Sequence, residues 1–427
     1  MQSNFINKFF LRYFFVIYYL YMMSVNVLIP RGSAFGAVIV IIFFLSVVSL
    51  SIQNKNVVKK YSYIYVYVGY VFISATLLSS DLMSSYTNLI KLSIGLLWLP
   101  LGYYLIPNIY HLKRFITTGL ILVIMYVIYI ALANIFNLGN FYGNYSDGAE
   151  GALQIGNVFA DGLYTNVYVI LGFSLLFLFH SKHLKKIVLV LALTAIITIV
   201  NMKRMPIALL GGGLFLYFGI AMFFKNKARL SIRIERNFIL MFLGLFLIFS
   251  FFFYDYYVIN RQARENRFDG TMTLEEEGRI VEFGYVLNET FLSDNLITLF
   301  FGRETGNYVG TYAGGRMGTR PMHNDYSKLI NGGGVVGTIF WFAIQLSIII
   351  TLLKVRHRVK LKNQFDVSLY SLSLVFWVVY TTSMVSGVYE CVMSSSYYYA
   401  FIGAVMRRYS RNNRIIKKTN ENTNCRK

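Results

Sequence analysis

The chain has 427 residues, of which 56% are hydrophobic and only 14% charged, and its mean hydropathy is +0.54. A soluble globular domain carries about 25% charged residues, so this composition argues against an ordinary water-soluble fold. The formal net charge of +21 would suggest a nucleic-acid partner in a soluble protein. In a chain this apolar it reads instead as basic residues gathered on the inner loops of a membrane protein, and no nucleic acid is expected as a partner.

Apolar runs long enough to cross a bilayer as helices recur along the chain. About twelve spans are expected, near 9–29, 34–52, 61–80, 88–107, 115–137, 162–180, 187–201, 206–224, 238–258, 335–353, 368–387 and 393–406. The first run has no small-residue cleavage site and is followed directly by another, so it is expected to be retained as a helix. The predicted fold class is an all-α polytopic membrane protein. Residues 1–258 carry spans one to nine, 259–334 form a large, partly helical outward loop, 335–406 carry the last three spans, and 407–427 form a basic tail.

With the N-terminus inside, the loops near 53–60, 108–114, 181–186, 225–237 and 354–362 and the tail all face inward, and each carries Lys or Arg. The outward loop at 138–161 carries neither. This bias places both termini on the cytoplasmic side. Two places depart from it: Lys203-Arg204 after the seventh span, and the long outward loop with Arg261, Arg264, Arg267, Arg279, Arg303, Arg316, Arg320 and Lys328. Loops of that length are translocated largely regardless of charge, and long polar loops commonly carry function.

Within that loop, residues 275–292 place Ile280, Phe283, Leu287 and Phe291 at helical spacing, with three glutamates at the start. The spacing predicts an amphipathic helix packed on the bundle. Glycine-rich turns follow at FFGRETGNYVG and YAGGRMG, and the chain re-enters the bundle near Gly334.

Arg204 and Arg279 are candidates for holding phosphate oxygens, because a guanidinium stays charged and donates two parallel hydrogen bonds. Lys203-Arg204 can equally be basic residues reaching from a helix end to the interface. Arg279 can equally pair on its helix with Glu275 or Glu282. His323 has the side chain suited to a base near neutral pH, with Asp325 and Tyr326 close in sequence; a solvated loop histidine is the plainer alternative. Lys91, near the outward end of the fourth span, reads as a side chain reaching to the interface. Most of the 34 tyrosines and 37 phenylalanines are expected in the core or in interfacial belts. Cys391 and Cys425 offer no metal-ligand spacing, Cys425 sits in the basic tail, and neither GxxxxGK[ST] nor HExxH is present.

Four of these features occur together in one family. They are KRMPIALLGGG with Arg204, GRIVEFGYVL with Arg279, LFFGRETG around Gly302, and His323-Asn324 followed after nine residues by Gly334-Val-Val-Gly337. In this order the chain resembles the bacterial O-antigen polymerase and O-antigen ligase family, by motif over about 200–340 and by span layout throughout. It departs from the family in carrying Lys203 before the first arginine, where Ser or Thr is common, so either Lys203 or Arg204 could fill that role.

The resemblance implies a GT-C-like glycosyltransferase of the bacterial inner membrane. Its partners would be an undecaprenyl-diphosphate-linked oligosaccharide donor and acceptor, membrane lipids and a chain-length regulator protein, and it would need no cofactor and no metal. His323 would handle the acceptor's proton at the periplasmic face, and Arg279 and Arg204 would hold the diphosphate. Lys203, Arg320, Asn324, Tyr326 and Lys328 are expected to contact substrate. Polymerase is the first expectation, with transfer of glycan to lipid A–core by a ligase as the alternative. A lipid-linked sugar flippase is the alternative from another class, but transporters tend to place ionisable groups at the midplane of two related halves, and this chain concentrates them in one loop.

Overall fold

The computed structural model describes residues 34–116, 278–307, 322, 324–356, 364–386 and 395–410, with isolated positions between 132 and 220; for 34–37, 278–280, 364 and 365 it describes the backbone alone. The described residues are helical and contain no strand. The first, sixth, seventh and ninth predicted spans, most of the fifth and eighth, Glu275–Glu277, both cysteines and the tail beyond 410 lie outside the described residues.

Helix α1, Ala34–Ile52, coincides with the second apolar run. A short helix that periodicity did not reveal follows, α2, Lys55–Lys60. Its start is set by Asn54, whose side-chain oxygen accepts from the N–H groups of Asn56 and Val57 at 3.1 and 3.3 Å, as an N-cap does. Helices α3, Ser62–Leu78, and α4, Leu82–Leu105, form a hairpin. Asp81 ends its turn by accepting from the N–H of Ser84 at 3.1 Å. Helix α5 is Gly278–Phe291, the amphipathic helix of the long loop, and α6 is Leu296–Phe301. Helix α7, Asp325–Arg356, carries a break at Gly334; α8 is Gln364–Ser383, continued by a 3₁₀ turn at Met384–Ser386; residues 395–410 form α9.

Helix α7 begins well before the predicted start of the tenth span at 335. Its first limb, 325–333, is DYSKLINGG, too polar to register as a span. The second limb runs antiparallel to α3: Tyr67 packs on Phe340 and Trp341, while Tyr70 donates to the carbonyl of Gly333 at 2.8 Å. Helices α4 and α9 run side by side in the same direction. Gly95 lies against Ser395, Gly102 against the backbone of Ala400, and Gly403 against the backbone of Leu99 and Tyr103. Small residues allow this approach, and α4 also contains Pro100, which removes one helical hydrogen bond at the crossing.

The ends of the bundle differ chemically. At one end Lys60 lies 3.9 Å from the Tyr103 ring centroid and Arg407 lies 5.0 Å from it. Nearby, the Arg408 guanidinium bonds the Asp366 carboxylate at 2.7 and 3.2 Å. Burial, with that carboxylate beside it, raises the pKa of the Tyr409 phenol. The opposite end carries the α3–α4 turn, residues 302–307 and the start of the second limb of α7.

The bundle is apolar outside and partly polar within. Val38, Ile41, Ile42 and Leu45 on α1, and Ile339, Phe342, Leu346, Ile350 and Leu353 on α7, are exposed at helical spacing. Buried between helices are Gln345, which donates to the Tyr399 hydroxyl at 2.9 Å, and Tyr380 stacked on Tyr398 at 4.1 Å between centroids. Among the described residues, Asp325–Arg356 is the one helix long and apolar enough to cross a membrane by length and composition; Val38–Ile52 and Ser62–Leu78 are shorter apolar helices.

Candidate functional site

The candidate site lies where α5, α6 and the start of α7 meet one another and the α3–α4 hairpin. Helix α6 starts at Asn295, which caps it by accepting from Ile297 N–H at 2.9 Å, and stops at Gly302, whose φ of 84° is open to glycine. The turn after it, 302–307, is pinned on two sides. The Glu304 carboxylate accepts from Ser80 N–H at 3.0 Å, and Asn88 donates to the Gly306 carbonyl at 2.9 Å, which ties the turn to the α3–α4 hairpin. Arg303 N–H donates to the Asn331 carbonyl at 2.6 Å, and the Thr305 hydroxyl bonds the Gly332 carbonyl, which ties it to α7.

The break in α7 is made against this turn. Gly334 has φ 56° and ψ −155°, a region that side chains other than glycine's hydrogen avoid. A Cβ there would sit 2.5 Å from the Gly302 nitrogen, and a Cβ at Gly302 would sit 2.6 Å from the Asn331 oxygen. The backbones of the two glycine motifs therefore touch directly. The break folds the first limb back toward the second: the Tyr326 ring stacks on that of Phe342 at 6.4 Å and 11°, and the Tyr326 hydroxyl donates to the Thr381 carbonyl of α8 at 2.8 Å.

Asn324 opens the first limb. Its side-chain oxygen accepts from Tyr326 N–H at 3.0 Å, and its carbonyl accepts from Lys328 N–H at 3.1 Å, the pattern of a helix N-cap. Its own N–H donates to the carboxylate of Glu282 on α5 at 3.0 Å. Glu282 is fully buried, and leaving a buried acceptor unpaired costs about 1–3 kcal/mol. Below this bond Val286 of α5, Met322 and Ile330 form a small apolar cluster. Asp325 and Lys328 are both buried and pair at 3.4 Å, and the Asp325 carboxylate is within electrostatic reach of Tyr380. One turn apart on the limb, Ser327 and Asn331 are buried with side-chain polar atoms that make no hydrogen bond.

Of the sequence-predicted site residues, Arg204, Lys203, Arg320 and His323 lie outside the described residues. Arg279 is in the first turn of α5, with its backbone alone described, three residues before Glu282. The structure brings Asn324, Tyr326 and Lys328 together on the first limb and gives each a partner within the protein. Asn324 caps, Tyr326 bonds Thr381, and Lys328 pairs with Asp325.

In the sequence Glu282 reads as a neighbour of Arg279, and its place beside the apolar face of α5, next to Phe283, is the local sign of its burial. Arg303 pairs with Glu289 at 3.2 Å on the surface, and Lys91 donates to Asn88 at 3.5 Å.

A groove of about 440 Å³ lies in the crook of α7. Phe283, Leu287 and Phe291 of α5 form one wall; Leu329 and Ile330 of the first limb and Thr338 and Phe342 of the second form the other. Asn324, Tyr326 and Val385 complete its lining, which is almost wholly apolar. No protein-family model matches this chain, and no curated protein matches it in sequence.

Proposed function

We propose that this protein is a polytopic glycosyltransferase of the bacterial inner membrane that joins lipid-linked saccharide repeat units at the periplasmic face, as an O-antigen or related surface-polysaccharide polymerase. The membrane setting is supported by the apolar exterior of α1 and α7, which water would not accommodate as a contiguous surface and lipid does. It is also supported by the collection of Lys60, Arg407 and Arg408 at one end, as the inward-facing loops of such proteins require.

The observation that carries the site is the Glu282–Asn324 hydrogen bond. It joins the helix that bears Arg279, one turn away, to the residue that directly follows His323. Helix α5 and the start of the first limb of α7, far apart in sequence, are thereby joined. In the proposed reaction an acceptor hydroxyl attacks the anomeric carbon of the donor sugar and gives its proton to the His323 imidazole. The bond from that carbon to the diphosphate oxygen breaks, and its electron pair leaves on undecaprenyl diphosphate. The guanidinium groups of Arg279 and Arg204 meet that charge without having to reorganise. Asn324 and Glu282 hold the backbone at the junction.

His323→Ala and Arg279→Ala, each in full-length protein recovered from the membrane at wild-type level, should abolish polysaccharide elongation in cells. Wild-type chain length from either variant removes that residue from the reaction. The polysaccharide of a deletion strain separates polymerase from ligase: a single repeat left on the core indicates the former, bare core the latter.

A further inference from the structure

We propose that α6 is an interfacial anchor, a short apolar helix whose exposed side chains enter the outer leaflet of the bilayer beside the candidate site. The inference rests on the membrane setting proposed above and not on the reaction.

Helix α6 is LITLFF, and none of its side chains is buried. Leu296 and Ile297 are 67% and 56% exposed, Phe300 and Phe301 are 44% exposed, and Leu292, just before the helix, is 75% exposed. The protein holds this helix by its main chain. The Phe301 carbonyl accepts from the Ser74 hydroxyl of α3 at 3.3 Å. The backbone of Leu299 and Phe300 lies against Gly334, where a Cβ would meet it at 2.7 Å. The side chains are turned outward together, and an exposed apolar cluster of this kind marks a contact with protein or with membrane.

Three observations select lipid. The first is depth. From Gly334 to Arg356 the second limb of α7 rises about 33 Å at about 1.5 Å per residue, and the hydrocarbon core of a bilayer is about 30 Å thick. With Lys354 and Arg356 at the inner surface, Gly334 and the helix that touches it lie at the outer boundary of the core. The second is continuity. Val66, Ile73 and Leu77 form an exposed apolar stripe on α3, and Ser74, which holds Phe301, is the neighbour of Ile73. The surface that faces lipid in the proposed setting therefore leads to α6. The third is the polar edging. Ser293, Asp294 and Asn295 precede the helix, and Arg303 and Glu304 follow it. This is the pattern of an apolar segment lying where hydrocarbon meets water. A partner protein would account for the exposed cluster but not for its depth. Helix α6 ends at Gly302, which packs on Gly334, so contact with the leaflet holds the 302–307 turn at the level of the break in α7.

The test uses full-length protein with Cys391→Ser and Cys425→Ser in nanodiscs of phosphatidylethanolamine and phosphatidylglycerol. A nitroxide is attached at Ile297→Cys, Phe300→Cys, Asp294→Cys or Leu346→Cys, one at a time. Power saturation then compares collisions with oxygen, which concentrates in hydrocarbon, and with a water-soluble nickel chelate. Labels at 297 and 300 should meet oxygen more often than the chelate, and the label at 294 should do the reverse. The label at 346, near the middle of the second limb, reports the membrane setting itself.

Chelate-dominated collisions at 297 and 300, with oxygen dominating at 346, overturn the anchor and leave the membrane setting standing. Chelate-dominated collisions at all four positions overturn both. Exclusion of both reagents from 297 and 300 means that protein covers the helix, either a second copy or another part of this chain, and overturns the inference. A label at 294 no more open to the chelate than the one at 346 places α6 within the core rather than at its edge, and also overturns it. Two labelled positions on α6 keep the test intact if one variant folds poorly.

Discussion

Among the described residues, glycine brings backbones together both where α4 meets α9 and where α6 meets α7, for different reasons. Where α4 crosses α9, Gly102 and Gly403 lie against the facing backbone within ordinary helix, and what they supply is room. Where α6 meets α7, Gly302 and Gly334 supply room and also backbone angles that side chains resist, with φ of 84° and 56°. The crossing fastens two helices whose directions are set by the rest of the bundle. The junction sets a direction: without the turn at Gly334 the first limb of α7 would continue the second instead of folding toward Phe342. The contact at the crossing needs space alone, and the one at the junction needs a dihedral as well.

The largest effect is expected from Gly334→Ala. It combines a strained dihedral of roughly 1–3 kcal/mol with overpacking of roughly 1–3 kcal/mol. Thermal unfolding of the purified protein should show the larger shift for this variant, and polysaccharide elongation should be lost. Gly403→Ala meets only the overpacking cost of roughly 1–3 kcal/mol. It should lower the melting temperature less and leave chain length unchanged at equal protein level. A Gly403→Ala variant less stable than Gly334→Ala would break the comparison.

Asn324→Ala removes the cap that starts the first limb and should cost about 1 kcal/mol. Amide exchange should quicken at Tyr326 and Lys328 while α4 and α9 stay protected. Arg303→Ala removes a surface pair with Glu289 in which the arginine side chain is 47% exposed. Its expected cost is about 0–1 kcal/mol, because the tie from Arg303 N–H to Asn331 is made by the backbone and survives. A large loss in that variant would mean that the guanidinium, and not the turn, holds the junction.

The sequence was most informative where one physical signal acts alone. The apolar run at 34–52 is helical in α1, and the apolar spacing from Ile280 to Phe291 is helical in α5. It was less informative where local and long-range terms compete. The first limb of α7 is polar and glycine-rich, so hydropathy began the element at 335, although Asn324 followed by Asp325 is a helix-start pattern. The fold-back at Gly334 depends on Gly302, distant in the chain, and no local pattern encodes the angle. Glu282 offered an obvious partner three residues away in Arg279; its hydrogen bond to Asn324, 42 residues on, depends on how α5 docks. The trio Arg204, Arg279 and His323 rests on resemblance alone, since each residue by itself has an ordinary alternative.

The burial of Asp325 and Lys328 bears on how such a chain is made. In the proposed setting, the second limb of α7 is apolar enough to partition into the bilayer during synthesis. The first limb is not: an acidic or basic residue at the centre of a membrane helix costs about 2.5–3.5 kcal/mol on insertion scales, and this limb carries one of each. It therefore has to be delivered across the membrane with the long loop and enter its slot afterwards, when Thr381 and the 302–307 turn are already in place to receive it. Insertion and completion of the site become separate events, and a chain can be fully inserted while still lacking the helix start that follows His323.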